Sequence, residues 1–136
     1  MSVQNEAGFW QLIRKNLKKN FLFTRIENIA SPGVPDVFWT SFKDGQSGWI
    51  ELKIIRGRKM RFGQEQVAWI KRHSDLGLNV KILARKDDTI FLWEGSDISE
   101  VATQGIETEE KKIWNRPFPW AEIIDAIMVP GRPRKG

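Results

Sequence analysis

Three charged residues in two neighbouring stretches have the types and spacing to do chemistry. Asp36 follows Pro35 at the head of one predicted strand, and Glu51 and Lys53 stand one residue apart in the next, Trp49-Ile50-Glu51-Leu52-Lys53. Side chains alternate faces along a strand, so Glu51 and Lys53 project from one side while Ile50, Leu52 and Ile54 project from the other. Lys43-Asp44-Gly45-Gln46 lies between the strands, and Asp-Gly is a strong hairpin signal. A two-residue turn centred there sets Asp36 opposite Lys53 and Phe38 opposite Glu51, with the three charges on one face. A slip by one residue would carry Asp36 to the far side. Carboxylates gathered in this way repel one another, and desolvation raises their pKa values. A divalent cation relieves both costs, and it lowers the pKa of a bound water and offsets charge on a phosphorane-like transition state. The same residue types could instead form a surface salt-bridge array, worth about 0–1 kcal/mol per pair. The turn register and the basic loop that follows Lys53 favour the hydrolytic site.

Composition narrows the chemistry. The chain has 136 residues, no cysteine and one histidine, His73. Disulfides, thiolate metal sites and cysteine nucleophiles are excluded, and so is a His-rich metal site within one chain. Any metal must be held mainly by oxygen, which favours Mg²⁺, with Mn²⁺ as its substitute. The net charge of +5 points to a polyanionic partner. Lys53, Arg56, Arg58, Lys59 and Arg61 crowd the segment after the acidic motif, and Arg132, Arg134 and Lys135 end the chain. A basic run by itself is usually a solvated loop. Beside carboxylates in a site that must receive phosphates, Arg56, Arg58, Lys59 and Arg61 become candidate nucleic-acid contacts, with Arg25 as a further one. No apolar run approaches the roughly 20 residues of a membrane span, and the first residues lack a basic-then-apolar signal pattern. A cytoplasmic, nucleoid-associated or phage-encoded protein is the expectation.

The elements that must position these residues follow from periodicity. Val3 to about Lys19 has an apolar stripe at Phe9, Ile13 and Leu17 and is expected to be a helix. Phe21–Ile29 is a first strand, Ala30-Ser31-Pro32-Gly33 a turn, and Pro35 is tolerable where the next strand begins. Gly63 or Gln64 opens a helix reaching about Leu76, with Gly77 as its stop. Val80–Arg85 and Thr89–Trp93 are strands joined through Lys86-Asp87-Asp88, and the crossover from Glu51 to Leu83 makes its two strands parallel. Ser96–Thr103 is a short helix, Glu107–Lys112 a charged solvated stretch, and Pro117-Phe118-Pro119-Trp120 a turn followed by an apolar helical run through Ile123, Ile124, Ile127 and Met128. Residues 1–129 form one α/β domain, a mixed central sheet flanked by helices, followed by a basic flexible tail over 130–136. Core packing is the default for Trp10, Trp39, Trp49, Trp69 and Trp93.

Pro35-Asp36, a spacer, and Glu51-Leu52-Lys53 resemble the PD-(D/E)xK signature of the restriction-endonuclease-like nuclease superfamily. Arg61-Phe62-Gly63-Gln64-Glu65-Gln66-Val67-Ala68-Trp69-Ile70 resembles the glutamine-bearing helix of the replication-repair (VRR-NUC) nucleases, and phage and archaeal Holliday-junction resolvases share the small core. The likeness runs from about Glu6 to Arg85. It implies an αβββαβ core, Asp36, Glu51, Lys53 and Gln66 as catalytic residues, and Glu6, Asp36 and Glu51 around the metal. Glu27 competes with Glu6 as the additional carboxylate, and Gln64 competes with Gln66. The activity implied is Mg²⁺-dependent hydrolysis of DNA phosphodiesters at branched structures, as in a Holliday-junction resolvase, and paired symmetric cuts would make the protein a homodimer. A VRR-NUC-like nuclease acting on flaps or ends is the alternative within the class. A DNA-binding domain of the same fold without turnover is the rival from another class.

Overall fold

The computed structural model describes residues 4–26 and 32–132. Six strands form one mixed sheet in sequence order: β1 (Phe21–Arg25), β2 (Val37–Ser41), β3 (Ser47–Ile54), β4 (Val80–Lys86), β5 (Thr89–Glu94) and β6 (Lys112–Asn115). Helix α1 (Glu6–Leu17) precedes the sheet, α2 (Gln64–Asp75) joins β3 to β4, and α3 (Ile98–Gln104) and α4 (Trp120–Met128) follow β5 and β6. Only the β3–β4 pair is parallel, as a strand–helix–strand crossover requires. The chain is a small single-domain α/β protein whose first six elements run α1, β1, β2, β3, α2, β4.

The two sheet faces carry separate cores. Phe9, Ile13 and Leu17 recur every four residues along α1 and bury against Val37, Trp39, Ile50, Leu52 and Leu83, joined by Ile123 and Ile127 of α4. Ile70 of α2 and Ile98 and Val101 of α3 pack with Val80, Ile82, Ala84 and Trp93. The alternation anticipated in β3 is therefore present: Ile50 and Leu52 enter the first core, and Trp49 borders the second. Asn5 caps α1, its side chain accepting from the Gly8 amide at 2.7 Å.

Several expectations are corrected. The β2–β3 connection is a four-residue loop, Phe42 to Gly45, closed by the Ser41 amide on the Gln46 carbonyl at 2.7 Å. Gly45 has φ +74°, and the Asp44 carboxylate accepts from the Gln46 amide at 3.1 Å. The loop is longer than a two-residue turn because Asp44 folds back on Gln46 and leaves the left-handed position to Gly45. Val37 consequently pairs with Ile50, so Asp36 falls beside Glu51 and not Lys53. The register differs from the expected one by two residues, an even number, which preserves the faces. Glu107–Lys112 is mostly exposed, as expected, but Lys112 opens an unanticipated strand, β6, whose Trp114 is buried against Ile90, its partner in register. Gly131 lies so close to the Leu78 carbonyl that a Cβ would come within 2.3 Å of it, and Arg132 meets Glu110 at 3.5 Å. Glu27, Ala30 and Ser31 of the first turn, Val3, and Arg134 and Lys135 of the tail lie outside the described residues.

Candidate active site and basic cleft

The site forms where the strand ends of β2 and β3 meet the first turns of α1 and α2. Gly33 is the hinge of its approach. It has φ +93°, and a Cβ there would lie 2.4 Å from the carbonyl oxygen of Glu65. Only glycine allows that backbone conformation together with such close approach. The chain entering Asp36 is thereby pressed against the first turn of α2 at Glu65, the residue before Gln66. In sequence Gly33 reads as a turn former alone, and the Pro32-Gly33 pair followed by Pro35 is the one local sign of this approach.

Asp36 and Glu51 are interlocked through backbone and side chain. The Asp36 amide donates to Glu51 Oε1 at 3.2 Å, and Asp36 Oδ2 accepts from the Leu52 amide at 2.9 Å. Glu51 Oε2 accepts from Gln66 Nε2 at 2.7 Å and lies 3.4 Å from Lys53 Nζ. Gln66 Oε1 in turn accepts from Lys53 Nζ at 3.0 Å and from the Gly63 amide at 3.1 Å. Gln66 is therefore both the capping residue at the start of α2 and the bridge between Glu51 and Lys53. Gln64, its rival, is exposed. Phe62 adds a contact that motif spacing did not point to, its ring centroid 4.7 Å from Lys53 Nζ.

Burial gives this network its electrostatic character. Glu51 is 1% exposed and Lys53 8%. Burial, first, and the neighbouring Asp36 carboxylate, second, push Glu51 up to about 8, against the opposing pull of Lys53. Glu6, at the exposed start of α1, is also raised, by partial burial and then by Asp36, while Lys53 and Arg25 draw it down. Glu6 thus faces the same charges from across the cleft. Among the described residues, no three His, Asp or Glu side chains are gathered closely enough to enclose an ion. The close carboxylate pair is Asp36 and Glu51, with Glu6 set apart.

An open cleft of about 840 Å³ meets this network at Lys53, lined by Asn5, Glu6, Lys53, Arg56, Lys59 and Arg61 among others. The basic loop behind Lys53 is a tight reversal: Arg56 and Lys59 exchange backbone hydrogen bonds around Gly57, which has φ +69°. The reversal places Arg56, Lys59 and Arg61 on the cleft wall and turns Arg58 outward, where it pairs with Glu107. Arg58 is thus the one member of the basic run that the fold does not bring to the cleft. Arg56 Nη2 donates to the Gln4 carbonyl at 3.1 Å. Arg25 reaches Asp36 Oδ1 at 3.9 Å and lies over the Trp10 ring.

Comparison with known proteins adds no identification: no family model matches the chain, and no curated protein matches it significantly. Among the described residues, no helix is long and apolar enough to cross a membrane.

Proposed function

We propose that the protein is a divalent-metal-dependent endonuclease of the PD-(D/E)xK type that hydrolyses DNA phosphodiesters at branched structures, as a Holliday-junction resolvase does. The observation that carries this reading is Glu51, withdrawn from water beside Asp36 and bridged by Gln66 to Lys53, which itself lines a cleft walled by Arg56, Lys59 and Arg61. A salt-bridge array would sit in solvent and leave no buried carboxylate with a pKa near 8.

The donor set suits Mg²⁺ or Mn²⁺. Asp36 and Glu51 offer hard oxygen ligands as a close pair, and Mg²⁺ is commonly held by one or two carboxylates together with substrate phosphate and water. Such an ion, when bound, supplies an activated water and stabilises charge on the phosphoryl group. Glu6 stands across the cleft as the further carboxylate. The rest of the work falls to the chain's own residues. Arg56, Lys59 and Arg61 attract and orient the backbone of the nucleic acid. Lys53, fixed by Gln66 and the Phe62 ring, places a compact positive charge where negative charge grows on the scissile phosphate. Gln66 keeps Glu51 and Lys53 in mutual register through the start of α2.

Incubating the purified protein with labelled four-way junctions and linear duplex, in Mg²⁺ and in EDTA, tests the proposal. Metal-dependent cutting of the junction is expected. Equal, metal-independent inactivity on both substrates would sink the enzyme reading. Mapping the cuts separates the branches of the class: symmetric paired nicks across the junction belong to a dimeric resolvase, and cuts at flaps or ends to a VRR-NUC-like enzyme. Sedimentation of the protein with and without junction DNA reads the dimer directly.

A further inference from the structure

Beyond the cleft, the corner where β4 turns into β5 and where β6 ends holds a second concentration of positive charge. The guanidinium carbons of Arg85 and Arg116 lie 5.9 and 5.6 Å from the centroid of the same ring, Phe118. Each arginine is braced from behind by the turn between the strands. Arg85 Nε donates to the Asp87 carbonyl at 2.9 Å. Arg116 Nε meets Asp88 at 3.3 Å, and its backbone amide donates to the Asp88 carbonyl at 2.9 Å. Among the described residues no carboxylate comes within ion-pair distance of Arg85. Burial and then the charge of Arg116 lower its pKa, opposed by Asp88 and Asp87. Two like charges are thus held around one aromatic ring with a single direct counter-ion between them.

The corner is tied to the strand end and basic loop of the proposed active site through neighbouring backbone, although Arg85 itself projects from the opposite sheet face to Lys53. Arg85 is the register partner of Ile54, which lines the cleft next to Lys53. Lys86 donates to the Gly57 carbonyl in the basic loop. The Asp87 backbone is clasped by the Gln4 side chain at 2.9 and 3.0 Å, and the carbonyl of Gln4 holds Arg56. Guanidinium groups set in a fixed plane present paired donors that match phosphate oxygens.

The geometry points to Arg85, Phe118 and Arg116 as an anion-binding corner that takes a backbone phosphate of the nucleic acid beyond the one being cut, an inference that rests on the nuclease reading of the cleft. It enlarges the footprint from the cleft wall to the far strands of the sheet. The shape it favours is a substrate whose backbone continues across the strand ends, which a branched or duplex DNA supplies and a free nucleotide does not.

Fluorescence anisotropy of labelled four-way junction and linear duplex, in Ca²⁺ to prevent cutting and over a series of salt concentrations, tests the corner. Arg85→Gln with Arg116→Gln is expected to weaken binding about tenfold and to lower the slope of log K against log salt by about one, the loss of one phosphate contact. Arg116→Gln alone, at a side chain that is 53% exposed, is expected to give a smaller change in the same direction. Asp88→Asn, which releases Arg116 from its counter-ion, should tighten binding several-fold. Unchanged affinity and slope in Arg116→Gln and in the double variant, with the wild type binding normally, would overturn the corner and leave the nuclease reading standing. Should circular dichroism show the double variant unfolded, Arg116→Gln decides by the same criterion. Absence of any DNA binding by the wild type would remove both readings together. Binding of inorganic phosphate equal to that of DNA would overturn the assignment to a polymer.

Discussion

Lys53 on β3 and Lys81 on β4 stand on adjacent strands, both withdrawn from solvent and both beside a glutamate. Lys81 is wholly buried, and its ammonium donates to Asn79 Oδ1 at 2.7 Å, to the Val129 carbonyl at 2.7 Å and to Glu94 Oε1 at 3.2 Å. An ammonium has three protons, and three acceptors consume them. Burial lowers the pKa of Lys81, with Glu94 opposing, and the group ties the end of α4 to the start of β4. Lys53 is held differently. It has the Gln66 oxygen at 3.0 Å, a longer approach to Glu51 and an aromatic ring, and it forms part of the wall of the basic cleft. A lysine whose protons all end inside the fold is an architectural clamp, whereas one that borders a basic cleft beside paired carboxylates is placed to meet a ligand.

The sharpest way to break this contrast is to remove each ammonium in turn. Lys53→Ala is expected to cut junction cleavage about 10³-fold, roughly 4 kcal/mol of transition-state stabilisation, while binding in Ca²⁺ stays nearly intact. Lys81→Met should do the reverse. It strands Glu94, Asn79 and the Val129 carbonyl and costs about 3 kcal/mol in denaturant unfolding, with cleavage per folded molecule unchanged. If Lys81→Met leaves stability intact, or Lys53→Ala leaves cleavage intact, the division of roles fails. Gly33→Ala comes next, with a loss of about 2 kcal/mol from a strained φ and a clash with the Glu65 carbonyl. Because the same shift moves Asp36 away from Gln66, cleavage per folded molecule should fall as well.

A pH-dependent effect follows from Glu51. The folded protein keeps a proton on this carboxyl up to about pH 8, whereas the unfolded chain releases it near the ordinary value of 4.5. The folded state therefore binds more protons between those limits, and its stability falls as pH rises through them, by at most about 1.4 kcal/mol per pH unit. The contribution is fully present below pH 4.5 and gone above 8. Thermal unfolding of the metal-free protein across this window measures the slope, and Glu51→Gln should flatten it. The smallest contrast lies within α2. Gln66→Ala loses the cap and both bridges, about 1 kcal/mol, whereas Gln64→Ala at the exposed neighbour stays within about 0.5 kcal/mol and leaves cleavage untouched. Equal effects from the two glutamines would remove Gln66 from the site.

Much of the molecule was legible in the chain because its signals are local. The apolar repeat of Phe9, Ile13 and Leu17 marks α1, and the alternation around Glu51 marks the buried and functional sides of β3. Gly63 and Gly77 bracket α2. Other features were hidden because they depend on what meets across the fold. Asp-Gly advertises a turn but not its length, since the length was settled by Asp44 folding onto Gln46. Lys112 is exposed, as its charge suggests, but the strand that it opens was hidden: β6 exists because β5 offers Ile90 and Thr89 as partners for Trp114 and Asn115. Arg58 is indistinguishable from its basic neighbours until Glu107 is brought alongside it. Lys81 carries no sign of burial in a strand of otherwise ordinary composition.

The order of residues alone determined the elements other than β6, the parallel crossover, and that Asp36, Glu51 and Lys53 would share a region, because periodicity and turn chemistry act over a few residues. The tertiary structure decided that Asp36 falls beside Glu51, that Gln66 joins Glu51 to Lys53, and that one buried lysine is a clamp while the other borders a cleft. Those outcomes depend on burial and on long-range hydrogen bonds, whose strength comes from surroundings that distant segments supply.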